Sequence, residues 1–306
     1  MTAHFIAAIN VSGPVLIILL LGIFFRRLNL LDGPFIASGN KLVFKVALPS
    51  LLFLSTAQGS IKENLNLPLI AYAVVTTLLS VLAVWLLYFR TQDSGKRAVL
   101  TQCAFRGNMG IVGLALCVNA FGQNILPHAA VYVAALTILY NLIAVVLLTG
   151  KGNGVLSNIL KNPLIIAIVA GIAWSLSGVE LPTLVSTSVG YLAKLTLPLA
   201  LLCIGATLDW RSFKSNQAAT SLNTLLKLIV LPGLITAGGF WLGFSGHDLG
   251  ILFLMMASPT AAAAYIMSKQ MTSHGQLAAE IVTLSTLLCP LSITLGLMLL
   301  SYLQLI

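Results

Sequence analysis

Acidic side chains are scarce in this sequence: Asp and Glu together number 7 in 306 residues, against 16 Lys and Arg. Charged residues of both signs make up 8%, where an ordinary soluble domain carries about 25%. That shortage excludes a soluble core of this size. It also leaves no paired buried carboxylates of the kind a dedicated cation exchanger needs. Cysteine is sparse too. Cys103, Cys117, Cys203 and Cys289 all fall in apolar runs without CxxC spacing, so they read as small buried hydrophobes and no metal site is expected. HExxH, paired catalytic aspartates and G-x-S-x-G are all missing, which argues against an intramembrane enzyme. GKGNG at 150–154 lacks the G-x-x-x-x-G-K-[ST] spacing of a phosphate loop. It reads as a flexible linker, and no cofactor is expected.

Apolar residues are abundant: 58% of the chain, with a mean hydropathy of +1.02. Apolar windows fall near 11–31, 40–58, 67–89, 98–120, 126–149, 163–179, 186–208, 221–244, 249–268 and 277–303. Windows of about 20 residues can cross about 30 Å of hydrocarbon as helices. The expected fold is therefore an all-α membrane protein of ten spans. Pro68, Pro127, Pro163 and Pro182 stand where a first helical turn would begin, a place where the missing N–H costs little. The first window has neither a positive n-region nor a cleavage site, so a retained first helix is expected.

The basic residues sort by loop. Arg26, Arg27, Lys41, Arg90, Lys96, Arg97, Lys151, Lys161, Arg211, Lys214 and Lys269 follow odd-numbered spans, and only Lys62, beside Glu63, falls in the opposite set. By the positive-inside rule the odd-to-even loops are cytoplasmic and both termini lie outside. The net charge of +9 is then a topology signal with weak attraction to anionic lipid, and no nucleic-acid partner is implied.

KVALPSLL (45–52) in span 2 is echoed by KLTLPLAL (194–201) in span 7. FGQN (121–124) after span 4 is echoed by HGQL (274–277) after span 9. Equivalent elements five spans apart run oppositely through the membrane. This predicts two inverted five-helix repeats, over residues 1–150 and 151–306, a signature of secondary transporters with the solute site near the midplane. Proline removes the hydrogen bond to the carbonyl at i−4, so Pro49 frees that of Lys45 and Pro198 that of Lys194.

Spans 4 and 9 are expected to be discontinuous. RGNMGIVG (106–113) carries Gly107, Gly110 and Gly113, and SPTAAAAY (258–265) carries a proline near mid-span. Unwound backbone at membrane depth must be satisfied by protein or line a cavity. Asn108, Ser258 and Thr260, around Pro259, can do the first or contact a solute. Thr137, Tyr140 and Asn141 form a polar stripe on span 5. Lys45, Arg106, Lys194 and Lys227 are the intramembrane bases and Glu280 the lone acid. Such charges are candidates for solute binding or gating. Lys45, Lys194 and Lys227 are expected to snorkel to water, whereas Arg106 lies deeper. The cationic excess favours an anionic solute. A proton- or sodium-coupled carrier of a neutral or cationic solute is the alternative.

NKLVFKVALPSLLFLS (40–55), FRGNMGIVGLAL (105–116), NTLLKLIVLP (223–232) and ASPTAAAAYIMSKQM (257–271) together resemble the auxin efflux carrier family. That family includes plant auxin efflux proteins and bacterial permeases for malate or malonate. The resemblance implies the bile-acid-symporter arrangement. Spans 1, 2, 6 and 7 would form a scaffold domain and spans 3–5 and 8–10 a transport domain. The solute, a small organic anion such as malonate, malate or an auxin-like acid, would bind where spans 4 and 9 cross, around Asn108 and Pro259, with contributions from spans 2 and 5. It would move by elevator-type alternating access, with a proton or sodium as coupling ion. A homodimer in a bacterial inner (plasma) membrane is expected. Plant members carry a proline near the span 4 break, where this chain has Arg106-Gly107 before Asn108.

Overall fold

In hydrocarbon every backbone N–H and C=O must find a partner inside the protein, so apolar runs of this length become helices. The computed structural model describes residues 2–58, 66–149, 163–208 and 216–306. The GKGNG linker and Lys62, Glu63, Lys151, Lys161, Arg211 and Lys214 lie outside the described residues. The helices are α1 (Thr2–Arg27), α2 (Gly33–Leu42), α3 (Leu48–Gln58), α4 (Leu67–Leu87), α5 (Ser94–Phe105), α6 (Leu114–Phe121), α7 (Leu126–Thr149) and α8 (Pro163–Leu176). They continue as α9 (Thr183–Lys194), α10 (Thr196–Thr207), α11 (Gln217–Leu225), α12 (Leu231–Trp241), α13 (Gly246–Ala257), α14 (Ala262–Met271) and α15 (Gly275–Tyr302). Every described element is helical, apart from one isolated bridge between Gly107 and Thr260. Seven helical stretches among the described residues are long and apolar enough to cross a membrane: Phe5–Arg27, Gly33–Gln58, Leu67–Leu87, Gln123–Leu148, Thr183–Thr207, Gln217–Trp241 and Gly275–Tyr302. Met109–Phe121, Pro163–Leu176 and Gly246–Ala257 are shorter apolar helices.

Each apolar window lies on helix, but the starts differ, because hydropathy rises after the residues that set a helix end. The second window opens at 40, whereas α2 begins at Gly33, where Asp32 accepts the Phe35 N–H at 2.7 Å. Asn66 caps α4 in the same way through the Leu69 N–H at 3.0 Å, with Pro68 in the first turn. Pro163 opens α8, and Pro182 stands one residue ahead of α9.

The two K-x-x-x-P sites reach different local solutions. Ahead of Pro49 the chain widens into a π-helical turn, Val43–Ala47, in which the Leu48 N–H bonds to the Val43 carbonyl. Around Pro198 the helix is interrupted instead: α9 ends at Lys194 and α10 starts at Thr196. Another wide turn, Leu226–Val230, precedes Pro232 and joins α11 to α12. Proline cannot donate to the carbonyl four residues back, and a wider turn moves that carbonyl away from the ring.

Leu78, Leu79, Leu82 and Leu86 of α4 are exposed, as suits a helix facing lipid. By contrast α5 is buried continuously from Ala98 to Phe105, and α13 from Leu249 to Ala257. A helix buried on all sides belongs to the interior, and both of these end at the same place. Polar contacts join helices around them. Tyr72 of α4 donates to the Ile235 carbonyl of α12 at 2.7 Å, and the hydroxyls of Ser12 and Thr294 join α1 to α15 at 2.6 Å. Asp93, ahead of α5, meets His274, ahead of α15, at 2.8 Å. Its carboxyl is held below the usual range, first by the Lys96 N–H and then by His274. The stabilisation this brings is present above the ordinary carboxylate range and fades as pH falls through the lowered value.

Backbone packs closely against backbone between α1 and α10. A Cβ at Gly205 would strike the backbone of Leu19, and one at Gly22 the backbone of Leu202. Small residues let transmembrane backbones approach in this way. Gly205→Ala should therefore lower stability in detergent by about 1–3 kcal/mol. Gly233→Ala should be neutral or stabilising by up to about 1 kcal/mol, because a Cβ there meets nothing within 4 Å. Equal melting temperatures for the two variants would contradict the packing described.

Candidate functional site at the helix crossing

α5 stops at Phe105 and the chain resumes helix at Met109; α13 stops at Ala257 and resumes at Ala262. Four helix ends thus meet in the interior, each with backbone groups that its own helix cannot satisfy. The two short extended stretches satisfy one another. The Asn108 N–H donates to the Pro259 carbonyl at 2.7 Å, and the Ala261 N–H to the Arg106 carbonyl at 2.9 Å, with Gly107 and Thr260 bridged antiparallel between them. Pro259 has no N–H to leave unpaired. Gly107 is required by closeness: a Cβ there would lie 2.6 Å from Ser258 Oγ and 3.0 Å from Lys227 Nζ. Gly113 likewise faces Met255, whereas Gly110 has room for a methyl group.

Most of the nearby polar side chains serve the backbone. Ser258 Oγ donates to the Met255 carbonyl at 2.7 Å, and Thr260 Oγ1 to the Cys103 carbonyl at 2.8 Å. The Thr260 N–H donates to Ser285 Oγ at 3.1 Å. Asn108 differs. It is half-buried, stands at the start of the Met109–Gly113 turn, and its side chain makes no capping bond. α14 also starts without a side-chain cap, behind Ala261. Both second half-helices therefore present N-terminal N–H groups with partial positive charge.

Two buried cations flank this crossing. Arg106 donates to the Tyr140 carbonyl at 3.2 Å and to Asn141 Oδ1 at 2.6 Å. This assigns two members of the span 5 stripe to the same cluster; Thr137, half-buried, makes no polar contact there. Lys227 was expected to snorkel, but it is only 2% exposed and donates to the Met256 carbonyl at 2.7 Å. The wide turn Leu226–Val230 carries it inward, where the end of α13 offers an unbonded carbonyl. Phe105 meets Tyr140 edge-on at 5.3 Å, and a small cavity between Lys227, Tyr140, Phe105, Thr77, Ser80 and Met256 has room for about one water. Among the described residues neither cation has a carboxylate partner within ion-pair distance.

Lys45 and Lys194 lie exposed, the latter over the Tyr191 ring at 6.0 Å. Neither makes a polar contact at the crossing. Glu280 is fully buried away from it, accepting from the Thr220 hydroxyl at 3.2 Å. Ser285, Thr77 and Ser80 were not singled out in the sequence. Their signal is faint: a hydroxyl pair three residues apart on α4 and one serine in the Thr283–Thr286 run.

The sequence pattern of the membrane transport protein family matches residues 12–153 and 152–297. The chain belongs to this family, that of the auxin efflux carriers. Among similar carriers is an "Uncharacterized transporter" of Methanothermobacter thermautotrophicus, 27% identical over 92% of this chain and 94% of that protein. YfdV of Escherichia coli, also an "Uncharacterized transporter", is 25% identical over 84% and 86%. A Rhizobium meliloti protein with the name "Putative malonate transporter" is 25% identical over 87% and 88%. This membrane transport protein thus shares nearly its whole length with other carriers.

If Asn141 holds Arg106 in this carrier, Asn141→Leu leaves a buried guanidinium short of an acceptor. Stability in detergent should fall by about 1–3 kcal/mol. Adding Arg106→Met should recover part of that loss in a double-mutant cycle. Strictly additive losses would show the two residues to be uncoupled.

Proposed function

We propose that this membrane transport protein is a secondary transporter of a small organic anion, working by elevator-type alternating access. The observation that carries the reading is the pair of buried cations, Arg106 and Lys227, beside the crossing with no acidic partner among the described residues. Buried charge is costly unless it is paired, and a carboxylate solute would supply the missing charge. Its carboxylate would meet the Asn108 amide and the uncapped starts of the second half-helices. Lys227 and Arg106 would add longer-range attraction. The relative named for malonate supports a carboxylate of that size.

The accompanying architecture is ten spans in two inverted repeats, residues 1–150 and 151–306. Three features support it: the echo of K-x-x-x-P, the two interrupted segments, and their antiparallel pairing. Spans 1, 2, 6 and 7 would hold still while spans 3–5 and 8–10, carrying the crossing, move through the membrane. The distribution of basic residues among the loops supports a reading with both termini outside a plasma membrane.

Uptake of labelled malonate, malate and indole acetate into proteoliposomes tests the function. At least one should show saturable flux, and Asn108→Ala should lower it by about tenfold, the equivalent of one good hydrogen bond. Absence of saturable flux for every anion would contradict the reading. Strict sodium dependence without anion competition would favour a carrier of neutral or cationic solutes.

A further inference from the structure

In transporters with broken helices, the C-terminal ends of half-helices hold the coupling cation, because their last carbonyls are unpaired and carry partial negative charge. α13 ends at the crossing in this way. Its Met255 carbonyl is taken by Ser258 Oγ at 2.7 Å, and its Ala257 carbonyl faces the Cys289 thiol at 3.8 Å. The Met256 carbonyl, between them, receives Lys227 Nζ at 2.7 Å. The amino group also lies against Gly107, on the other broken segment, where a Cβ would approach it to 3.0 Å. Nζ thus stands at a helix C-terminus, bonded to the end of α13 and beside Gly107 of the other broken segment.

The amine is held by a backbone carbonyl dipole and not by an acid. Lys227, Met256, Ala257 and Cys289 are all buried. No cluster of His, Cys, Asp and Glu able to hold a metal ion occurs among the described residues. The ionisable groups near the amine are Cys289, Tyr140 across the small cavity, and Arg106 beyond it. None of them is an acid that would cancel the charge.

We propose that the Lys227 ammonium is a tethered cation standing where a coupling cation would bind at the crossing, so that this carrier moves its anion without a sodium or potassium partner. The inference rests on the reading of the crossing as the transport site. A charge tied to α11 and α12 through the chain cannot dissociate on either side of the membrane. The crossing therefore keeps that positive charge in every state of the cycle, and the solute's own gradient drives its movement.

The test has two arms, so that the cation and the solute can fail separately. In the first, the full-length protein is melted in choline, sodium, potassium and methylammonium chloride at equal ionic strength. The wild type should melt alike in all four. Lys227→Ala should melt lower in choline and be raised saturably by methylammonium or sodium, since a ligand that binds only the native state stabilises by mass action. An Ala variant indifferent to every small cation would overturn the proposal. In the second arm, anion flux into proteoliposomes is measured with choline replacing all alkali cations. Wild-type flux should be unchanged. Lys227→Gln, which keeps a neutral donor for Met256, should fold yet lose about tenfold or more of the flux, as loss of a charge-assisted bond implies. Wild-type flux that collapses in choline, or a Gln variant with full flux, would overturn the tethered cation. If no anion is carried at all, the solute reading fails while the melting arm still decides the role of Lys227.

Discussion

Backbone pairing between residues 106–108 and 259–261 is the constraint around which the rest of this protein is arranged. Two hydrogen bonds, from Asn108 to Pro259 and from Ala261 to Arg106, allow two helices to stop inside a region with no water to satisfy their ends. Without them, four helix termini would be unpaired in an apolar interior, at several kcal/mol for each unsatisfied group. The continuous burial of α5 and α13 follows: helices ending at such a junction must be enclosed by protein. The small residues follow as well, because only glycine at 107 leaves space for Ser258 and Lys227.

Charge is organised around the same junction. Arg106 reaches α7 and Lys227 reaches the end of α13, so each cation ties an interrupted segment to a continuous helix. Each is hydrogen-bonded but has no countercharge among the described residues. That combination gives order in the resting protein and leaves an electrostatic demand for an anion. Where carboxylates dominate a membrane site, a cation is the natural cargo; here the scarcity of Asp and Glu in the whole chain points the other way.

How much of this could be read from residues alone depended on the range of the interaction. Helices came from apolar runs, and the breaks within 106–113 and 258–265 from Gly and Pro, because those signals are local. The Arg106–Asn141 bond was legible only as two separate polar positions; nothing in either run names the other as partner. Lys227 was misjudged because depth was inferred by counting turns from a loop. The wide turn ahead of Pro232 and the carbonyl of Met256, 29 positions away, decide its orientation, and neither is visible in a hydropathy window. The two K-x-x-x-P sites share a sequence cause, yet one widens a turn and the other interrupts a helix, a choice that neither run of residues states. Ser285 was missed for the same reason: its role is fixed by a backbone N–H from another element.

The central claim is that the crossing is where the solute binds, and a cryo-EM structure of the protein with malonate tests it most directly. The account predicts a carboxylate beside Asn108, against the starts of the helical turns at Met109 and Ala262 and on the side facing Lys227. An unoccupied crossing, with malonate bound instead near the exposed Lys45 or Lys194, would contradict it.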